Sequence, residues 1–292
     1  FVVLAIVGLG VALYFAWQTL IPKAAEAVAH RIPRDAEKSL GTIALQGLDR
    51  WLLKTSRLEA AEMWSVRRLF DELADKAGLA DTVVLQFRDT APNALALPGG
   101  TIVVTDGLVK LFRSDERLLA AVIAHELGHI QHRHSLRHLL EGSASALIVG
   151  ALVGDVSGVS ALTVNAPILL STLHYTRESE READQYAFDL LRRSGRSPKD
   201  FADAMRRFDA MELCIALRTK YRDDALKQAQ GSVDRSDEPA ARARISDSCT
   251  DNPEKALEGR DSELADLRRQ DRETGYMHTH PVTRERIAAA EA

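Results

Sequence analysis

"SDERLLAAVIAHELGHIQHRHSLRHLL" occupies residues 114–140. It reads as one helix, with Ser114 as N-cap and Asp115 and Glu116 in the first turn, where carboxylates favour the helix dipole. His125 and His129 stand four residues apart and so share a face. Glu126 is rotated about 100° from His125, close enough to reach a metal-bound water without itself being a ligand. Two neutral nitrogen donors and a general base at this spacing are what a hydrolytic zinc site needs. The alternative is a histidine-rich surface helix. The apolar residues around the pair (Ala121, Val122, Ile123, Leu127, Ile130) argue against it, because a half-buried histidine pair without a metal is hard to satisfy.

Catalytic zinc usually takes a third protein ligand. "TRESEREAD" at 176–184 supplies Glu178, Glu180, Glu182 and Asp184 as candidates. Glu180 and Asp184 lie on one helix face, so one can bind metal while the other orients a ligand histidine. His132, His134 and His138 are read as structural or surface residues.

Outward from this centre, "YTRESEREADQYAFDLLRRSG" (175–195) is a helix closed by Gly195, and "SPKDFADAMRRFDAME" is another, with Ser197 as N-cap and Pro198 first in the helix. Residues 43–77 carry helical spacing that Gly78 caps. "TVVLQFRD" (82–89) is a strand. In "NALALPGGTIVVTDGLVKLF" the turn Pro98–Gly99–Gly100 separates two short apolar runs, which predicts a hairpin. Its second arm, "TIVVT", reads as a strand. Residues 143–173 are apolar and rich in small residues, and are read as two packed helices or a membrane-grazing hairpin. Residues 218–275 are charged and read as a solvated insertion. "THPVTRERIAAA" predicts a short closing helix that starts at Pro281.

The first twenty-one residues, "FVVLAIVGLGVALYFAWQTLI", hold no charge and are long enough to span a bilayer. They read as a transmembrane anchor (1–22), with a cleaved signal segment or a buried core helix as alternatives. Residues 23–42 read as a juxtamembrane linker. The two cysteines, Cys214 and Cys249, fit one bridge in an exported domain better than two unrelated thiols. A net charge of -4 and 5% aromatic residues exclude broad nucleic-acid affinity.

Taken together, HELGH at 125–129, "TRESEREAD" at 176–184, the "NALALPGGTIVVTDGL" segment and "THPVTRERI" resemble the HtpX-like, BepA-like and CAAX-prenyl-protease-like zinc metallopeptidases, family forty-eight, of the gluzincin type. The matching positions are Arg177, Glu180 and Asp184, then Asn93, Pro98, Gly99, Gly100 and Gly107. The resemblance implies one zinc per chain, with Glu180 as third ligand beside His125 and His129, and Asp184 behind them. It implies a substrate-binding role for Asn93, Pro98, Gly99, Gly100, Thr101, Ile102 and Val103, with the strand "TIVVT" pairing an extended substrate along its edge unless it is an ordinary structural strand. His280 is expected at the site as an oxyanion partner or as a fourth ligand that shuts the enzyme off, unless it simply starts a helix. Arg286 is expected to support His280 or to pair with Asp184.

The expected fold is therefore α+β and mostly helical: a zincin-like domain (43–292) with a small sheet, behind an N-terminal transmembrane helix. The expected activity is zinc-dependent endopeptidase action on unfolded or misassembled proteins in envelope quality control. A chaperone-like adaptor with a closed metal site is the alternative. A prenyl-protein protease would need more membrane spans. Partners would be protein or peptide substrates, the membrane, and envelope proteins docked on the insertion or on 143–173. The expected location is the bacterial inner membrane with a periplasmic catalytic domain, or else the periplasm as an exported soluble protein.

Overall fold

The computed structural model describes residues 8, 17, 19–113, 115–153, 175–228, 249–250, 253–260, 264, 280 and 284–292. Nine helices are named here: α1 (Arg34–Trp51), α2 (Ala60–Ala77), α3 (Asp106–Leu111), α4 (Glu116–Gln131), α5 (His134–Val153), α6 (Arg177–Arg193), α7 (Lys199–Gln228), α8 (Pro253–Leu257) and α9 (Arg284–Glu291). The strands are β1 (Lys54–Thr55), β2 (Val84–Asp89), β3 (Ala94–Ala96) and β4 (Thr101–Thr105). The architecture is the mostly helical α+β one expected from the sequence.

The sheet runs β1-β2-β4-β3. The hairpin at Pro98–Gly100 forms as expected and pairs β3 with β4 antiparallel. β4 also pairs with β2, in parallel, from Val84↔Thr101 to Arg88↔Thr105. Alternation along these strands splits their side chains between two layers. Ala94, Ala96, Ile102 and Val104 enter the main core with α4, while Leu95, Leu97 and Val103 meet Leu48 of α1 on the other face. The sheet is thus sandwiched between α1 and the helical body.

α4 runs through that body and is buried from Leu118 to Ile130, covered by α2, α6, α7 and β3. Its N-cap is Asp115, whose side chain accepts from the Arg117 amide, one residue later than expected; Ser114 lies outside the described residues. α2 buries Val66, Leu69, Phe70 and Leu73 at helical spacing and ends on Gly78 at φ 69, a left-handed cap that glycine adopts without strain.

Several boundaries differ from the sequence reading. The stretch 43–77 is two helices with β1 between them, and the expected linker at 23–42 is largely helical. Residue 42 falls inside α1, which packs on the hairpin turn: a Cβ on Gly41 would sit 2.0 Å from the Pro98 carbonyl oxygen. In the charged insertion, 218–228 extend α7, Cys249 is bridged to Cys214, and Leu264 packs on Leu213 and Leu217. The final helix begins at Arg284, and Thr279 and Pro281 lie outside the described residues. So do most of the N-terminal apolar segment and all of 154–174. Among the described residues, no helix is long and apolar enough to cross a membrane.

Candidate metal centre

α4 and α6 cross closely because Gly128 faces Ala183. A Cβ on Gly128 would stand 2.9 Å from the Ala183 Cα and carbonyl oxygen. This contact brings the first turn of α6 over the histidine pair. His125 Nε2 and His129 Nε2 are 2.9 Å apart, and Glu180 Oε1 lies 3.4 Å from His129 Nε2. Of the four acidic candidates in "TRESEREAD", Glu180 alone joins this cluster. His280 supplies a fourth donor, with Nδ1 3.2 Å from His125 Nε2 and 2.9 Å from Glu180 Oε1.

A tetrahedral ion bound at about 2.0–2.1 Å holds its ligand atoms roughly 3.3 Å apart. The observed separations fit that size. Three imidazole nitrogens and a carboxylate oxygen facing one point also suit zinc chemically. Both Glu126 carboxylate oxygens are buried with no hydrogen bond among the described residues, as a base awaiting a water would be. Glu126 Oε1 lies 3.5 Å from His280 Nε2.

Behind the donors, His125 Nδ1 meets Asp184 Oδ1 at 3.0 Å. Arg286 donates two bonds to Asp184, both 2.7 Å, and its third nitrogen reaches Glu180 Oε2 at 2.6 Å. The sequence reading left two places open for Arg286, beside His280 or against Asp184; its hydrogen bonds here go to Asp184, with Glu180 as a second carboxylate partner. His129 Nδ1 meets His134 Nδ1 at 2.9 Å. The sequence reading missed that contact: His134 is fully buried, while His132 and His138 are partly exposed.

Electrostatics follow from burial and neighbours. Burial raises the Glu126 carboxyl above its ordinary value, against the pull of His280 and His125. Burial drives His129 well down and His134 down to about 2, so both imidazoles are neutral, the form a ligand nitrogen requires. Burial opposes ionisation of Glu180 and Asp184, but His280 and Arg286 outweigh it at Glu180, and Arg286 and His125 together do at Asp184; both carboxyls are lowered.

The substrate-edge expectation needs correction. β4 is an interior strand, paired on both sides, so the backbone of Thr101, Ile102 and Val103 is already committed. Pro98, Gly99 and Gly100 are packed against α1 and Thr82. The edge strand beside α4 is β3. Bonds Leu97 N→Thr101 O and Thr105 N→Asn93 O fix the pairing phase, which turns the Ala94 and Ala96 backbone away from β4. Asn93 leads into this edge and its side chain accepts from the Ala94 amide. Two hydroxyls the sequence reading did not single out, Ser135 and Tyr175, reach the Ala96 carbonyl at 2.5 and 3.1 Å. Tyr175 also stacks on His129, with ring centroids 3.8 Å apart.

With this geometry in view, the comparisons are decisive. The sequence model of peptidase family M48 matches residues 60–292. The chain belongs to peptidase family M48. This is a family of metalloendopeptidases, as the sequence resemblance implied. The chain is 32% identical over 152 residues to the mitochondrial metalloendopeptidase OMA1 of Schizosaccharomyces pombe, covering 50% of this chain and 44% of that protein. It is 33% identical over 117 residues to the beta-barrel assembly-enhancing protease of Escherichia coli K12 (37% and 24%). It is 31% identical over 130 residues to the metalloprotease LoiP of the same bacterium (41% and 48%). In each case the match spans less than half the relative's length.

Proposed function

We propose that this chain is a zinc-dependent endopeptidase that cuts unfolded or misassembled proteins in a bacterial envelope. The observation that carries the reading is the convergence of His125, His129 and Glu180 donor atoms beside the fully buried carboxylate of Glu126. His125 Nε2, His129 Nε2 and Glu180 Oε1 would hold the ion. When bound, zinc acidifies a water and polarises the scissile carbonyl. Glu126 takes the proton from the attacking water and hands it to the leaving amine. Its raised pKa suits both halves of that exchange. Extended substrate pairs with the outward backbone of Ala94 and Ala96, which tolerates many sequences. Asp184 and Arg286 keep His125 and Glu180 aimed.

The resting site is closed in this reading. His280 fills the fourth donor position, and Ser135 and Tyr175 occupy the Ala96 carbonyl that substrate would use. That closure also favours the second reading, an adaptor that works by binding. An exported location rests on the Cys214–Cys249 bridge, and inner-membrane attachment on the uncharged segment 1–21.

The test is zinc content with casein cleavage for wild type, Glu126→Gln and His280→Ala. One zinc per chain throughout, with cleavage in wild type and none in E126Q, is expected. Zinc without cleavage in any variant would favour the adaptor. No zinc in folded protein would sink the metal reading.

A further inference from the structure

We propose that His134 is a positioning residue for the metal centre, fixing the tautomer and ring orientation of His129 through a chain that ends at Glu182. The inference rests on the reading of His129 as a metal ligand. His129 Nδ1 and His134 Nδ1 are 2.9 Å apart, and His134 Nε2 is 2.8 Å from Glu182 Oε2. Arg137 donates to the same Glu182 oxygen at 3.4 Å, so that oxygen stands as an acceptor between two partners.

The proton positions are forced one after another. An ionised carboxylate only accepts, so His134 Nε2 carries a hydrogen and donates to Glu182. A neutral imidazole has one N–H, so His134 Nδ1 is an acceptor. The facing His129 Nδ1 must then be the donor, because two acceptors do not meet at 2.9 Å. His129 Nε2 is left with its lone pair, aimed at His125, Glu180 and His280. Orientation is held as well: His134 fixes one edge of the His129 ring, and Tyr175 covers its face. The two helix ligands are thus aimed by different devices. His125 meets the carboxylate of Asp184 directly, whereas an imidazole stands between His129 and Glu182.

The same residues have a competing use. Ligand atoms of His132, His134 and Glu182 lie within 4.8 Å of one another and resemble a second metal group. A metal there would need the His134 Nε2 lone pair, which the proton chain has already filled. With His129 ligated, the chain leaves this second group without metal.

The test uses the purified full chain. Zinc affinity is measured by competition with a chromophoric chelator, stoichiometry by elemental analysis, and folding by urea unfolding of the metal-free protein. H134F removes the acceptor and is expected to weaken zinc binding about 10–100-fold. H134N places a carbonyl near the Nδ1 position and is expected to recover part of that loss. E182A, at the exposed end of the chain, carries the test if H134F does not fold, with a smaller loss in the same direction. Nitrogen NMR of zinc-loaded wild type should show His134 protonated on Nε2. Wild-type affinity in folded H134F or E182A would overturn the proposal. So would two zinc ions in wild type, with one lost in E182A and the other held unchanged. No zinc in folded wild type would instead bring down the metal reading beneath it.

Discussion

Gly128 of α4 meets the backbone of Ala183 of α6 with no space for a side chain, and this contact sets the distance between the HExxH helix and Glu180. The atoms opposite are backbone, so none of them yields by changing rotamer. G128A should cost about 1–3 kcal/mol through overpacking. It should also lower zinc affinity, because Glu180 is displaced from the histidines. Urea unfolding and chelator competition measure the two effects separately.

His280 is the fourth donor of the cluster and, in the proposed function, the group that blocks the site. Removing its ring should open the fourth position, so H280A should cleave casein faster than wild type at one zinc per chain. A fall in cleavage with zinc retained would instead assign His280 to the oxyanion. Steady-state rates at saturating zinc decide between them.

Asp184 sets a pH dependence. Its carboxyl is held below the ordinary 3.8: burial pushes it up, but Arg286 and His125 together pull it down further. A depressed carboxyl contributes stability that is complete above its unfolded pKa and disappears as pH falls through the folded one. In metal-free protein, D184N should be less stable than wild type by about 3 kcal/mol near neutrality. The gap should shrink below pH 3.8 and vanish in stronger acid. Paired urea midpoints across pH 2–7 trace it; a gap that persists at the acid end would assign the effect to packing instead.

The Cys214–Cys249 bridge closes a separation of 35 residues. Constraining a loop of that length is worth about 3–4 kcal/mol. C214S/C249S should unfold at correspondingly lower urea while its zinc affinity stays near wild type, because His125, His129, Glu180 and His280 all lie outside the loop.

The His125–His129 pair with Glu126, and the shared face of Glu180 and Asp184, were each legible from spacing within one helix, whereas the choice of Glu180 among the four acidic candidates came from the family resemblance, because the crossing of α4 and α6 has no local signature. Gly78 and Gly195 were legible as helix ends for similarly local reasons. His134 was not. It lies five residues past His129, off the helix face, and reaches back only because the chain turns at Arg133, where φ is 54. The substrate edge was misassigned because the parallel β2–β4 pairing joins segments that no local pattern links. α1 was read as linker up to residue 42 because few of its residues are large and apolar. Its packing depends on small ones, Gly41 and Ala44.

The family match begins at residue 60, but the folded unit begins earlier. Arg133, buried beside the metal helix, donates to Glu37 and to the Ile32 carbonyl. A chain trimmed at residue 60 would leave that guanidinium stranded beside the site and the second face of the sheet bare. The stretch 32–37 is therefore part of the structure that frames the site. It meets the end of the histidine helix at Arg133, four residues from His129, and α1 continues from it to the other face of the sheet through Leu48.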